Sequence, residues 1–354
     1  MKTLQKSLRK TLTREEFIEK CYNKSGSVGS KNVTISALTN FDSFCIEEYG
    51  KKSNELLDEI KGDMSDALYT FLQDFINYMQ KNNLKPNTIA VYFSAVKSFV
   101  RSQGIRINSD DIKDLVTRPT IIQELMHPLT REELKLLLDY SKPDRKTYYL
   151  TLSSSGMRIG ESLSLKKSDF DMSQNPVMIT IQGKFTKTKQ TRQTYASSEA
   201  KEGLEKLLEN KQDDELVFAK SDNLENAIIN EEKIFHQLRK RCGLDKKYPN
   251  SSRHLITIHS MRAFFHTQAS LVHDEQYANA LDGHQGYLMQ YYRLPPEKRS
   301  EMYRELEPKL LIYTDPKIVE LHQNLIQKTE SQQIQIEKLT KMVERMSKYK
   351  MVLK

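Results

Sequence analysis

Chemistry concentrates between Ile258 and Arg293, which read IHSMRAFFHTQAS and, after a short apolar segment, ANALDGHQGYLMQYYR. His259 and Arg262 stand three apart, so a helix carries both on one face. His284 follows in a glycine-containing turn, and Tyr291 and Tyr292 come just after it. An arginine presents a planar fork that matches two oxygens of a phosphate. A histidine carries a proton near neutral pH, and a tyrosine oxygen relieved of its proton is a nucleophile. Together these groups can hold an anion and attack it. Taken alone, the same stretch also suits a basic helix end packed into a core.

Partners are offered upstream. The segment TYYLTLSSSGMRIGESLSL breaks at Ser153–Gly156, and Arg158 emerges directly after the glycine with Glu161 three residues on. Spacing leaves Arg158 as either a buried partner of Glu161 or an anion ligand. VMITIQ alternates as a strand, GKFTKTKQ is a charged turn and TRQTYAS returns, so a β-hairpin carries Lys184, Lys187 and Lys189 around its tip. Lysines at a hairpin tip serve solubility as readily as binding. EEKIFHQLRKRCG reads as a basic amphipathic helix, with His236, Arg239, Lys240 and Arg241 on its polar face.

The elements that must position these groups follow from periodicity. Residues 1–32, Lys/Ser/Gly-rich and ending NKSGSVGSKN, read as a mobile basic arm. Residues 33–117 carry apolar side chains at i, i+3, i+4 spacing in three segments and read as a small helical bundle. In it, Pro86 ahead of Asn87 and Thr88 starts a helix and Gly104 stops it. Lys85, Asn87, Thr88, Lys97 and Arg101 lie on or near that helix, as a solvated face or a DNA-facing one. Residues 118–128, RPTIIQELMHP, hold two prolines and no period, so they read as an extended linker. A second domain, 129–315, opens with a capping box from Thr130 and Glu133. Residues 316–354 read as a helical tail. Ile336, Leu339, Val343 and Met346 keep a 4-3 spacing there, while Thr329 and Gln332 interrupt the seam. That is too short for a coiled coil and suits an amphipathic helix docking on its own or a neighbouring protomer.

Composition limits the function. At 354 residues a single core is not expected, and a net charge of +8 favours an anionic partner, nucleic acid before membrane. The mean hydropathy of −0.65 implies a heavily charged surface. No apolar run approaches the roughly 18 residues of a membrane span. The basic N-terminus lacks an apolar core and a cleavage site, so no secretory signal is expected. Three scattered cysteines, Cys21, Cys45 and Cys242, suggest a reducing compartment and no zinc site. A cytoplasmic, DNA-associated protein is the expectation.

The order Arg in SSGMRIGESL, Lys in a β-hairpin, His-x-x-Arg in HSMRAFF, Gly-His in LDGH and then Tyr closely resembles the tyrosine recombinase (integrase) family. That family includes phage and archaeal integrases and the Xer resolvases. The resemblance runs from about Ile35 to Pro308. It implies a mainly α fold with a small antiparallel β-sheet (α+β), a helical core-binding domain preceding the catalytic domain. It also implies that Arg158 and Arg262 clamp the scissile phosphate and stabilise the charge of the pentacoordinate transition state. Lys187 would be the general acid for the departing 5′ oxygen, because the family's return strand often begins with a basic residue five positions on, here Arg192. His259 would take the tyrosine proton, and His284 would support the phosphate. Tyr292 would be the nucleophile, since its interval from His284 is nearer the family norm than that of Tyr291. No cofactor or metal is implied. The implied partners are double-stranded DNA at specific sites and three further copies of the chain, with no membrane.

The chain departs from the family pattern in three ways. Asp282 stands where the family usually has Leu, adding a charge beside His284. The interval from His284 to Tyr292 is eight residues against about nine, and HSMRAFF lacks the histidine that often follows the second arginine. The resemblance therefore implies site-specific DNA cleavage and rejoining through a 3′-phosphotyrosyl bond. Two alternatives share parts of the pattern: a type IB topoisomerase, and a DNA-binding regulatory factor with an inactive site.

Overall fold

The computed structural model describes residues 11–62, 66–284 and 293–314, with residues 325, 328–329, 331–333, 335–336 and 338–342 of the tail. The chain divides between Glu124 and Leu125 into two compact units. Neither a helix nor a strand lies between Leu115 and Arg131. Among the described residues no helix is long and apolar enough to cross a membrane.

Among the described residues the first unit holds six helices: α1 (Arg14–Ser25), α2 (Val28–Tyr49), α3 (Ser53–Gly62), α4 (Asp66–Lys81), α5 (Pro86–Ser102) and α6 (Ser109–Leu115). Its N-terminal part corrects the expectation of a mobile arm. Thr13 caps α1 through a reciprocal box, its hydroxyl accepting from the Glu16 amide and its own amide donating to the Glu16 carboxylate. Phe17 is buried against Phe99 of α5, with ring centroids 5.3 Å apart. One aromatic anchor and a cap order what the Lys/Ser-rich composition read as loose. Phe41 and Phe44 of α2 meet Phe71 and Phe75 of α4 to form the aromatic centre of this unit. Pro86 sits at the start of α5, and Gly104 follows it with φ of 89°.

The second unit comprises α7 (Arg131–Asp139), α8 (Pro143–Ser155), α9 (Ile159–Leu163), β1 (Phe170–Asp171), β2 (Val177–Ile181), β3 (Arg192–Ala196), α10 (Ser198–Leu208), α11 (Leu224–Arg241), α12 (Ile258–Val272), α13 (Glu275–Asp282) and α14 (Pro296–Leu310). The strands form one antiparallel sheet in the order β1-β2-β3, with Ile181 opposite Arg192 and Val177 opposite Ala196. Val177, Ile179 and Ile181 point into the core, as period-two alternation requires. α8 is the buried axis of the unit. Its C-terminal carbonyls accept from elsewhere: Ser155 from the Thr194 hydroxyl at 2.7 Å, and Ser154 from the Tyr303 hydroxyl at 2.7 Å. The described tail residues are helical and exposed, Leu325, Ile336, Leu339 and Met342 among them. Val343 and Met346 lie outside the described residues.

Candidate active site

The site is assembled at two chain reversals. The first is Gly156, which ends α8 at φ of 67°. The Phe265 ring of α12 lies 2.3 Å from where a Cβ on Gly156 would sit, so only glycine allows both the turn and the packing. The reversal makes Arg158 the residue preceding α9. Glu161 then closes back on it, accepting from the Arg158 amide at 2.8 Å and from its guanidinium at 3.1 Å.

The second reversal is Gly283, which ends α13 at φ of 75°. Its Cβ position would lie 2.8 Å from the Arg192 guanidinium. The last carbonyls of α13, which carry the negative end of the helix dipole, are thereby turned toward three arginines. Arg192 donates to the Leu281 carbonyl at 2.9 Å, and Arg262 donates to that of Asp282. Arg158 reaches the Asp282 and Gly283 carbonyls at 3.5 Å. Arginines from α9's start, β3 and α12 thus meet at one helix end.

Two buried carboxylates lie under this cluster. Glu161 is 1% exposed and accepts both arms of the Arg192 fork, at 3.1 and 2.6 Å, besides Arg158. Burial pushes its pKa up, but the hydrogen bonds and charge of Arg192, helped by Arg158, outweigh this and hold it below the usual range. Asp282 is 0% exposed. Its Oδ2 lies 2.9 Å from His284 Nδ1, 3.0 Å from His266 Nδ1 and 3.3 Å from Arg262 Nη2, while Oδ1 accepts from the His284 amide at 3.0 Å. The departure from leucine therefore places a buried anion that three side chains share.

Arg262 is 2% exposed and also donates to the Gly156 carbonyl at 2.6 Å. Burial lowers its pKa to about 10 against the pull of Asp282, so it stays charged at neutral pH. Its Nε has no hydrogen-bond partner among the described residues. His259 is exposed, and its pKa is lowered by desolvation and then by Arg262, Arg253, Arg158 and His284. His284, half exposed, is lowered by desolvation and Arg262, with Asp282 acting in the opposite sense. Both rings therefore sit in a strongly positive field and are neutral near pH 7 while no anion is present.

Of the residues expected from sequence, Arg158, Arg262 and His284 are brought together, and His259 lies within their field. Arg158 pairs with Glu161 and keeps 26% of its side chain exposed, so the pairing does not exclude the anion-ligand alternative. Lys187 is exposed at the hairpin tip, in a turn closed by the Lys189 amide donating to the Thr186 carbonyl at 3.3 Å. Among the described residues no hydrogen bond joins it to Arg158, Arg192 or Arg262. The tip is not a regular strand: Gly183–Phe185 form a 3₁₀ turn, and Lys189 adopts φ of 56°. The three lysines therefore do not follow the alternation of a strand across the tip. Lys189 donates to the Lys184 carbonyl, and Lys184 lies over the Phe185 ring. Tyr291 and Tyr292 lie outside the described residues. Two members of the site were not singled out from sequence, Arg192 as a buried fork and His266. His266 was findable, because it stands four residues after Arg262 and seven after His259 on one helix face.

The fold is that of DNA-recombining enzymes. It is similar to a lambda integrase (residues 75–356) dimer bound to a COC′ core site, with a TM-score of 0.54 and 15% identity over 80% of this chain and 97% of that one. It is also similar to the XerH site-specific recombinase bound to its difH substrate, with a TM-score of 0.50 and 18% identity over 84% and 85%. Residues 127–274 match the phage integrase family, and residues 13–102 match the phage integrase SAM-like domain. The tyrosine recombinase XerA of Thermococcus kodakarensis is 29% identical over 108 residues, 30% of this chain and 37% of that protein. XerA of Thermococcus onnurineus is 24% identical over 194 residues, 53% and 66%. Each match covers less than two thirds of these relatives' own length. These matches, which take in residues 13–102 and 127–274, are to the phage integrase family of tyrosine recombinases.

Proposed function

We propose that this protein is a site-specific recombinase that cuts and rejoins duplex DNA through a 3′-phosphotyrosyl bond. The observation that carries the reading is the convergence of Arg158, Arg262 and His284 at the end of α13, where an anion would meet two guanidiniums and an imidazole. Arg158 and Arg262 hold the non-bridging oxygens of the scissile phosphate and stabilise its extra transition-state charge. The Tyr292 oxygen attacks phosphorus, His259 takes its proton, the bond from phosphorus to the 5′ oxygen breaks, and Lys187 protonates that oxygen. The phosphotyrosyl linkage conserves the phosphodiester energy, so the 5′-hydroxyl of a partner strand can reverse the step.

Exchange between two DNA sites takes four active sites, and we propose a homotetramer on two duplexes within the cytoplasm. The basic face of the first unit fits a DNA-binding role. Lys97 there has its pKa lowered by desolvation and by Arg101 and Arg118, a repulsion that a phosphate would relieve. Three assays test the reading. A nicked suicide duplex carrying the cognate site should capture the protein covalently, and a plasmid with two such sites should recombine. Efficient relaxation of a supercoiled plasmid lacking the site, with no recombination, would instead indicate a topoisomerase. Specific binding without covalent capture would indicate a regulatory factor.

A further inference from the structure

Asp282 binds the site together from beneath. An ionised carboxylate can only accept hydrogen bonds. At 2.9 and 3.0 Å from Oδ2, the Nδ1 atoms of His284 and His266 must therefore each carry a proton directed inward. The Arg262 Nη2 atom lies 3.3 Å from the same His284 nitrogen and cannot donate to a nitrogen already protonated. It is left to the Asp282 oxygen. The two rings stand nearly perpendicular, at 84° with centroids 5.5 Å apart. With each Nδ1 committed inward, each Nε2 is the atom left to face outward.

We propose that Asp282 and His266 are positioning residues of the phosphate site, Asp282 fixing the tautomer and direction of His284 and His266 competing for the same carboxylate oxygen. The proposal rests on the recombinase reading for its catalytic consequence, but its structural half does not. A hydrogen-bond acceptor on the inner nitrogen of a histidine fixes the ring and raises its basicity. Among the described residues, burial and the charges of Arg262 and Arg158 oppose the protonation of His284. Arg262 and His259 come from α12, Arg158 from the start of α9, and Arg192 of β3 is spent on Glu161. Asp282 is the counterweight that lets His284 take up a proton when a phosphate arrives at its Nε2, so that it binds as an imidazolium held between two anions. His266 draws on the same oxygen and weakens that counterweight. The two substitutions should therefore move His284 in opposite directions.

The test uses the full-length protein, free of DNA, with ¹⁵N-labelled histidine. Long-range ¹H–¹⁵N spectra should find neutral His284 and His266 protonated at Nδ1, the less common tautomer of a free histidine side chain. Asp282→Asn and Asp282→Leu should lower the pH at which His284 titrates, and His266→Ala should raise it. A merely structural role predicts neither the tautomer nor the opposite signs. In single-turnover covalent capture at saturating DNA, Asp282→Asn should slow cleavage by about 10–100-fold, the usual effect of losing an outer partner of a functional histidine. DNA affinity should change little. Wild-type His284 protonated at Nε2, or a His284 titration indifferent to Asp282→Asn, overturns the proposal. If the Asp282 variants do not fold, the wild-type tautomer and the His266→Ala shift still decide it. Failure of wild-type covalent capture would sink the recombinase reading while leaving the tautomer result intact.

Discussion

Replacing Arg192 with methionine isolates the interaction that organises the site from inside. The substitution keeps an unbranched apolar stem and removes the fork from Glu161, whose side chain is 2% exposed, as well as the donor to the Leu281 carbonyl. Removing one partner of a buried ion pair costs about 3–5 kcal/mol, because the remaining charge stays desolvated. Arg158 remains within 3.1 Å of Glu161, which places the expectation at the lower end of that range. For a unit of this size each kcal/mol moves Tm by roughly 2–4 °C, so a fall of about 6–12 °C is expected at pH 7. The pH dependence supplies the sign. In the wild type Glu161 has a depressed pKa, so its stabilisation is fully present above the unfolded value of about 4.3 and is lost as pH falls through the lower folded value. Without Arg192 that depression largely disappears, and the gap between variant and wild type should narrow as pH falls below about 4. Urea unfolding followed by circular dichroism at pH 7 and across the acid range measures both effects. A loss under about 1 kcal/mol at pH 7, or a gap that does not change with acid, would refute the buried-pair argument.

The other expectations are simpler. Tyr292→Phe should abolish covalent capture of a nicked suicide duplex while Tyr291→Phe retains it, since a single phenol oxygen attacks the phosphate; the reverse pattern reassigns the nucleophile. Lys187→Ala should slow cleavage by about 10²–10⁴ with binding little changed, and a substrate with sulfur in place of the 5′ leaving oxygen should restore the rate. Rescue of Lys184→Ala but not Lys187→Ala would move the general acid to Lys184. If the basic faces contact about 6–10 phosphates, affinity should fall roughly 10³–10⁵-fold between 50 and 200 mM salt, and a flat profile in a filter-binding titration would make them solvated surfaces. Gly156→Ala should destabilise the protein by about 1–3 kcal/mol or more, because its Cβ would collide with the Phe265 ring in a left-handed turn; thermal melting within 1 °C of wild type would contradict that packing.

Local pattern made much of this protein readable. Helix faces, the start at Pro86 and the capping box of Thr130 depend on neighbours within four residues, which is the range that periodicity and capping report. The order of Arg158, the lysine hairpin, His259, Arg262 and His284 carried the family resemblance, and the first, fourth and fifth of these do converge. Part of the arm, residues 14–25, was read as loose for a related reason. Its composition looked unstructured, whereas one distant contact, Phe17 on Phe99, and one cap order it.

Tertiary structure alone decided how the convergence is held. Arg192 reaches Glu161 across 31 residues and Leu281 across 89, and Arg262 reaches Gly156 across 106. No local spacing encodes such distances. The sequence could state that Asp282 adds a charge beside His284. Only the packing of α13 against α12 buries that charge fully and sets two imidazoles and a guanidinium around one of its oxygens. A buried carboxylate is tolerated only where donors surround it, and those donors come from segments brought together by the turns at Gly156 and Gly283. Residue types and their order decided which groups could do the chemistry; the turns and the shared carboxylates determined which of their nitrogens face outward.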